Sequence, residues 1–70
     1  MFKFTLTQPY GNAAQARVRG FVDGAWLFDL LDAVDNLIQG SCTAAGASVH
    51  EFTDVTVTNA MADIQAQLGI

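Results

Sequence analysis

This chain of 70 residues has one cysteine, one proline and only three basic side chains. A lone thiol, Cys42, excludes an internal disulfide, so a reducing compartment is the default and the cytoplasm the expected location. No apolar run approaches the roughly 20 residues that a membrane-spanning helix needs. The opening Met1-Phe2-Lys3-Phe4-Thr5 alternates, unlike the continuous apolar stretch of a secretion signal. One histidine and one cysteine cannot fill the tetrahedral shell of a structural metal. Glycine-rich phosphate loops are missing too, because Gly20 and Gly24 lack the later glycine and the strand-to-helix setting of that motif. Neither a metal nor a cofactor is expected.

Charge is scarce: charged residues make up 14% of the chain, against about 25% in ordinary soluble domains. Apolar residues reach 51%, which excludes intrinsic disorder. A domain this small lies near the lower limit at which a core alone holds a chain together. The apolar surplus therefore points to self-association or a permanent partner. All three cations, Lys3, Arg17 and Arg19, precede residue 20, and all seven acids follow residue 22. Such a split predicts a bipolar surface, in which the acidic part repels nucleic acid and attracts basic protein grooves. The plainer account is that acidity keeps a greasy domain in solution.

Phe2, Phe4 and Leu6 alternate with polar residues, the period of a half-buried strand. Pro9-Tyr10-Gly11-Asn12 is strong turn punctuation. A second strand follows over 14–22, with Ala16, Val18 and Val22 on one face and Arg17, Arg19 and Phe21 on the other. From Gly24 to Gln39 the apolar residues fall on one arc at about 100° per residue, which predicts an amphipathic helix. Asp23 would cap it and Gly40 would stop it. Residues 41–48 read as a small-residue loop. Val49 to Thr58, rich in β-branched residues, predicts a third strand with Val55 and Val57 inward. A short helix then runs to Leu68, with Met61, Ile64 and Leu68 inward and Gly69 ending it. The expectation is one α+β domain over 1–70, ββαβα, its three-stranded antiparallel sheet in the order 2-1-3. Both helices would cover one face, leaving Lys3, Thr5, Thr7, Arg17, Arg19 and Phe21 on the other.

The expected helix places Asp29, Asp32, Asp35 and Asn36 on its polar side, with no lysine or arginine of its own to offset them. Spaced carboxylates can imitate a line of phosphates and engage arginine or lysine. Phe28 falls among them, as an interface anchor would. These five residues form the candidate partner-binding surface. Lys3, Arg17, Arg19 and Phe21 form a secondary one, able in principle to track a nucleic-acid backbone, although three cations are few for that purpose. Cys42, His50 and Asp54 contain the elements of a nucleophile, base and orienting acid, but nothing in their spacing enforces a geometry.

In length, in the Asp29-Asp32-Asp35 row and in its lack of catalytic machinery, the chain resembles the small acidic proteins with which phages block host enzymes. Anti-CRISPR proteins and DNA mimics belong to that type. The resemblance implies a non-enzymatic inhibitor of a basic, nucleic-acid-binding protein surface, with no direct nucleic-acid contact and no membrane association. The alternative expectation is a structural subunit of a phage particle or another homo-oligomer, a homodimer included.

Overall fold

The structure, a computed structural model, describes residues 1–46 and 54–70, with Asp54 and Val55 described by their backbone alone. Four strands, β1 (Phe2–Tyr10), β2 (Ala13–Val22), β3 (Ala25–Leu31) and β4 (Leu37–Ala45), precede one helix, α1 (Asp54–Leu68). The strands pair antiparallel in the order β1-β2-β3-β4. This replaces the expected ββαβα fold, its 2-1-3 sheet and its two helices.

The largest departure is the segment read as the helix 24–39, which is the β3–β4 hairpin. Asp23 and Gly24 both take positive φ, 52° and 79°, between the paired Val22 and Ala25. A two-residue turn with both central residues left-handed is the type I′ geometry that Asp-Gly favours. Asp23 therefore turns a hairpin instead of capping a helix. Beyond it, Trp26, Phe28 and Leu30 point to one face, each exposed by 1% or less. Burying each of these contributes about 2–3 kcal/mol, which secures the strand register.

The second correction concerns residues 54–58, expected in a strand but helical. Helix propensity disfavours β-branched residues by only about 0.7 kcal/mol each at most, and packing overrides it. Thr56, Ala60 and Ile64, four residues apart, are all buried along one stripe. Leu68 continues that stripe against the core. The helix ends as the glycine implies: Gly69 has φ 78°, its N–H bonds the Ala66 carbonyl at 3.1 Å, and that of Ile70 bonds Gln65 at 3.1 Å. These are the two bonds of a Schellman stop.

Helix α1 lies against β4 and β1, on the face that carries Phe2, Phe4, Leu6, Val18, Trp26, Phe28, Leu30 and Ala44. Among the described residues no helix lies on the opposite sheet face, where Arg17 and Arg19 cover Asp29. A bulge then changes who belongs to that face. Val18 pairs with Phe28 but Gly20 pairs with Leu27, so Arg19 is an extra residue in β2. One inserted residue reverses the alternation beyond it. Phe21, expected beside Arg17 and Arg19, therefore turns to the core face and packs edge-on against Trp26, centroids 4.6 Å apart. Val22 is correspondingly turned out to solvent.

Candidate functional site

Lys3 and Arg17 are paired across β1 and β2, and Arg17 faces Asp29 across β2 and β3. The Asp29 carboxylate is buried, with its residue 3% exposed. Arg17 donates to its Oδ2 through Nε at 3.2 Å and Nη2 at 2.8 Å. Arg19 Nη1 approaches Oδ1 at 3.4 Å, and the Ser41 N–H donates to the same oxygen at 3.1 Å. Burial pushes this carboxyl up. The Arg17 hydrogen bond, the Ser41 N–H and the two guanidinium charges outweigh that push and hold it below the ordinary carboxylate value.

The bulge that leaves Arg19 unpaired in β2 also frees it to lean toward Asp29. A second bulge faces the carboxylate from β4. Phe28 pairs with Cys42 and Leu30 with Gln39, so Gly40 and Ser41 together oppose Asp29. Ser41 holds φ 56°, an uncommon value for a side-chain-bearing residue, and the N–H it thereby presents is one of the Asp29 donors. A Cβ built on Gly40 would stand 3.4 Å from Asp29 Oδ1 and 3.7 Å from a Leu37 methyl. The carboxylate and Leu37 thus flank Gly40 on the open face.

Asp35 reaches back over that face from the β3–β4 turn. Lys3 Nζ donates to both of its oxygens, at 2.7 and 2.8 Å, and Gln15 Nε2 to Oδ1 at 2.8 Å. The Lys3 ion pair is the first cause that lowers the Asp35 carboxyl. Asp32 organises the turn itself. Its carboxylate accepts the N–H groups of Val34 and Asn36 at 3.0 and 2.8 Å and the Asn36 amide at 3.0 Å. The Asn36 contacts lead the causes that lower its carboxyl. Asp35, left-handed at φ 70°, completes the reversal.

The row of three carboxylates on a helix face is accordingly replaced by three separate roles. Asp29 joins strands, Asp32 shapes a turn, and Asp35 clasps β1 and β2. Phe28, expected as a solvent-exposed anchor, is 1% exposed in the core, because its strand parity puts it under α1. Asn36 remains exposed within the turn. Lys3, Arg17 and Arg19 do share the open face, whereas Phe21 does not.

Sequence reasoning missed a different set of residues. Val34, Leu37 and Ile38, assigned to the buried arc of the expected helix, are 76%, 60% and 43% exposed. Asp23-Gly24 was the signal that could have found them, since a hairpin turn there breaks the helical wheel that had buried them.

A cleft of about 200 Å³ opens between the β1–β2 turn, β4 and the end of α1, lined in part by Tyr10, Phe28, Leu30, Cys42 and Leu68. Cys42 Sγ contacts two backbone carbonyls there, of Gln39 at 3.8 Å and Gly40 at 3.9 Å. Burial, then the Asp29 charge, push the thiol above its usual range, the opposite of what a nucleophile requires. His50 and the Asp54 side chain lie outside the described residues. Among the described residues no three metal-ligating side chains gather, and no helix is long and apolar enough to cross a membrane. No known family model, curated protein or solved structure matches the chain.

Proposed function

We propose that this chain is a small non-enzymatic binding domain that works by surface contact with another protein. The observation that carries this reading is the exposure of Val34, Leu37 and Ile38 within five consecutive residues at one hairpin tip. Clustered exposed apolar side chains rimmed by polar ones mark interaction surfaces. Strand pairing is a poor route to that contact. Both sheet edges are blunted, β1 by Lys3 and Pro9 and β4 by its bulges. Contact therefore runs through side chains at the tip and on the open face.

An inhibitor that covers a basic, nucleic-acid-binding surface of a host complex is a special case of this reading. Of the hairpin's three aspartates, Asp35 is exposed and Asp32 half-buried, whereas Asp29 is enclosed by Arg17 and Arg19. An assembly subunit is the other special case, using the same tip against a second copy. With its thiol partly buried and unpaired, the domain suits the reducing cytoplasm.

A photo-crosslinking residue at position 34, compared with one at Asn12 on the β1–β2 turn, tests the proposal in living cells. A discrete protein adduct from position 34 alone supports it. An adduct with another copy of the chain selects the assembly case. Indiscriminate or equal labelling from both positions would sink it.

A further inference from the structure

Arg17 and Arg19 are the feature of the open face that the fold leaves least used. Their side chains are 48% and 55% exposed, while the carboxylate between them is 4% exposed. Arg17 commits Nε and Nη2 to Asp29, and Arg19 only Nη1 at 3.4 Å. Further N–H donors of both guanidinium groups therefore face solvent. Two long cationic side chains on a flat sheet would ordinarily pay rotamer entropy on capturing a ligand. Here one buried carboxylate, fixed in turn by the Ser41 N–H, already orients both, as a supporting group orients a binding residue.

Resting on the reading that the chain acts by protein contact, we propose that Arg17 and Arg19 form a binding site for a carboxylate of the partner protein. Two guanidinium groups against one aspartate leave one positive charge, which a single carboxylate neutralises. Arginine's planar fork matches that group bidentately. A nucleic-acid backbone fits less well. The chain carries a net charge of -4, and Phe21, the aromatic that would have stacked a base, is on the other sheet face against Trp26. The exposed Leu37 lies beside Gly40, on the β4 side of Asp29 and across it from the arginines, and supplies an apolar neighbour on the same face. The fitting occupant is a protein segment that sets an acidic side chain beside an apolar one.

The test uses two end-blocked peptides, one with a glutamate flanked by leucines and its glutamine twin, with inorganic phosphate as a third probe. Binding is followed by the NMR signals of the arginine Nε–H groups and the Leu37 methyls. The glutamate peptide is expected to shift Arg17, Arg19 and Leu37 saturably. In Arg19→Gln, which leaves the closer Arg17–Asp29 pair in place, its affinity falls about tenfold, the worth of one charged hydrogen bond near 1.4 kcal/mol. Equal binding of the glutamine twin, tighter binding of phosphate, or unchanged affinity in Arg19→Gln would each overturn the site. If the position-34 crosslink persists undiminished in Arg19→Gln, the binding-domain reading stands and this carboxylate site falls.

Discussion

The indole N–H of Trp26 donates to the Asp63 carboxylate at 2.9 Å, joining the middle of the sheet to α1 across 37 residues of chain. Gly46 lies directly against that bond, its own N–H bonded to the Gly24 carbonyl at 3.0 Å. A Cβ there would come within 2.5 Å of Trp26 Nε1 and 2.6 Å of Asp63 Oδ2. This sheet-to-helix tie thus depends on a missing side chain.

Gly46→Ala should destabilise the domain by about 1–3 kcal/mol, the usual cost of overpacking. In a chain of this size that lowers Tm by roughly 10 °C. Gly20→Ala is the control: a Cβ there meets nothing within 4 Å, and its effect should stay within about 0.5 kcal/mol. Calorimetry on the two variants checks the contrast, and equal Tm values would contradict it.

Asp29→Ala leaves two arginines and the Ser41 N–H without their shared acceptor. Because both guanidinium groups reach solvent, the loss should be about 2 kcal/mol, below the 3–5 typical of fully buried pairs. Hydrogen exchange of the β4 amides near Ser41 should rise with it. Unchanged protection there would show that Asp29 does not hold the bulge.

Acid should weaken the fold. Asp29, Asp32 and Asp35 all have carboxyls lowered from the ordinary 3.8. Depressed values mean that their contribution is fully present above the unfolded-state value and is lost as pH falls through the folded-state values. Urea stability should therefore be level from neutrality to about pH 5 and decline below about pH 4. Asp29→Asn should flatten that decline. Stability that rises on acidification would refute the assignment.

Ser41→Gly should stabilise the domain by up to about 1 kcal/mol, by relieving a left-handed serine while keeping the N–H that Asp29 accepts. Denaturant titration reads the effect. A loss of stability would mean that the serine hydroxyl contributes more than its backbone costs.

Cys42 should alkylate more slowly at neutral pH than a free cysteine, since burial and the Asp29 charge both disfavour its thiolate. Competition with glutathione for iodoacetamide measures this. Faster labelling of Cys42 would reverse the reading and restore a case for thiol chemistry.

Much of the frame can be read from local pattern. The alternation of Phe2, Phe4 and Leu6 and the arginine face of early β2 need only neighbouring residues and appear as expected, whereas the turn expected over Pro9-Tyr10-Gly11-Asn12 is confined to Gly11 and Asn12, with Pro9 and Tyr10 ending β1. The stop at Gly69 also appears as expected, because a left-handed glycine ends a helix wherever it falls. In the segment 24–39 the local turn signal of Asp23-Gly24 competes with a periodicity that also fits a helix. Trp26, Leu27, Phe28, Leu30 and Leu31 are so dense that they satisfy a 3.6-residue wheel and a two-residue alternation alike. What chose between them was distant. Asp29 needs cations to be buried, and these stand 12 and 10 residues upstream in β2. Trp26 needs an acceptor, and it lies on α1. The sequence by itself determined which residues prefer to turn, alternate or stop, since those preferences are local and backbone-driven. Only the tertiary structure decided which charges are spent inside the fold and which apolar side chains are left in water, because burial and ion pairing are settled by partners far along the chain.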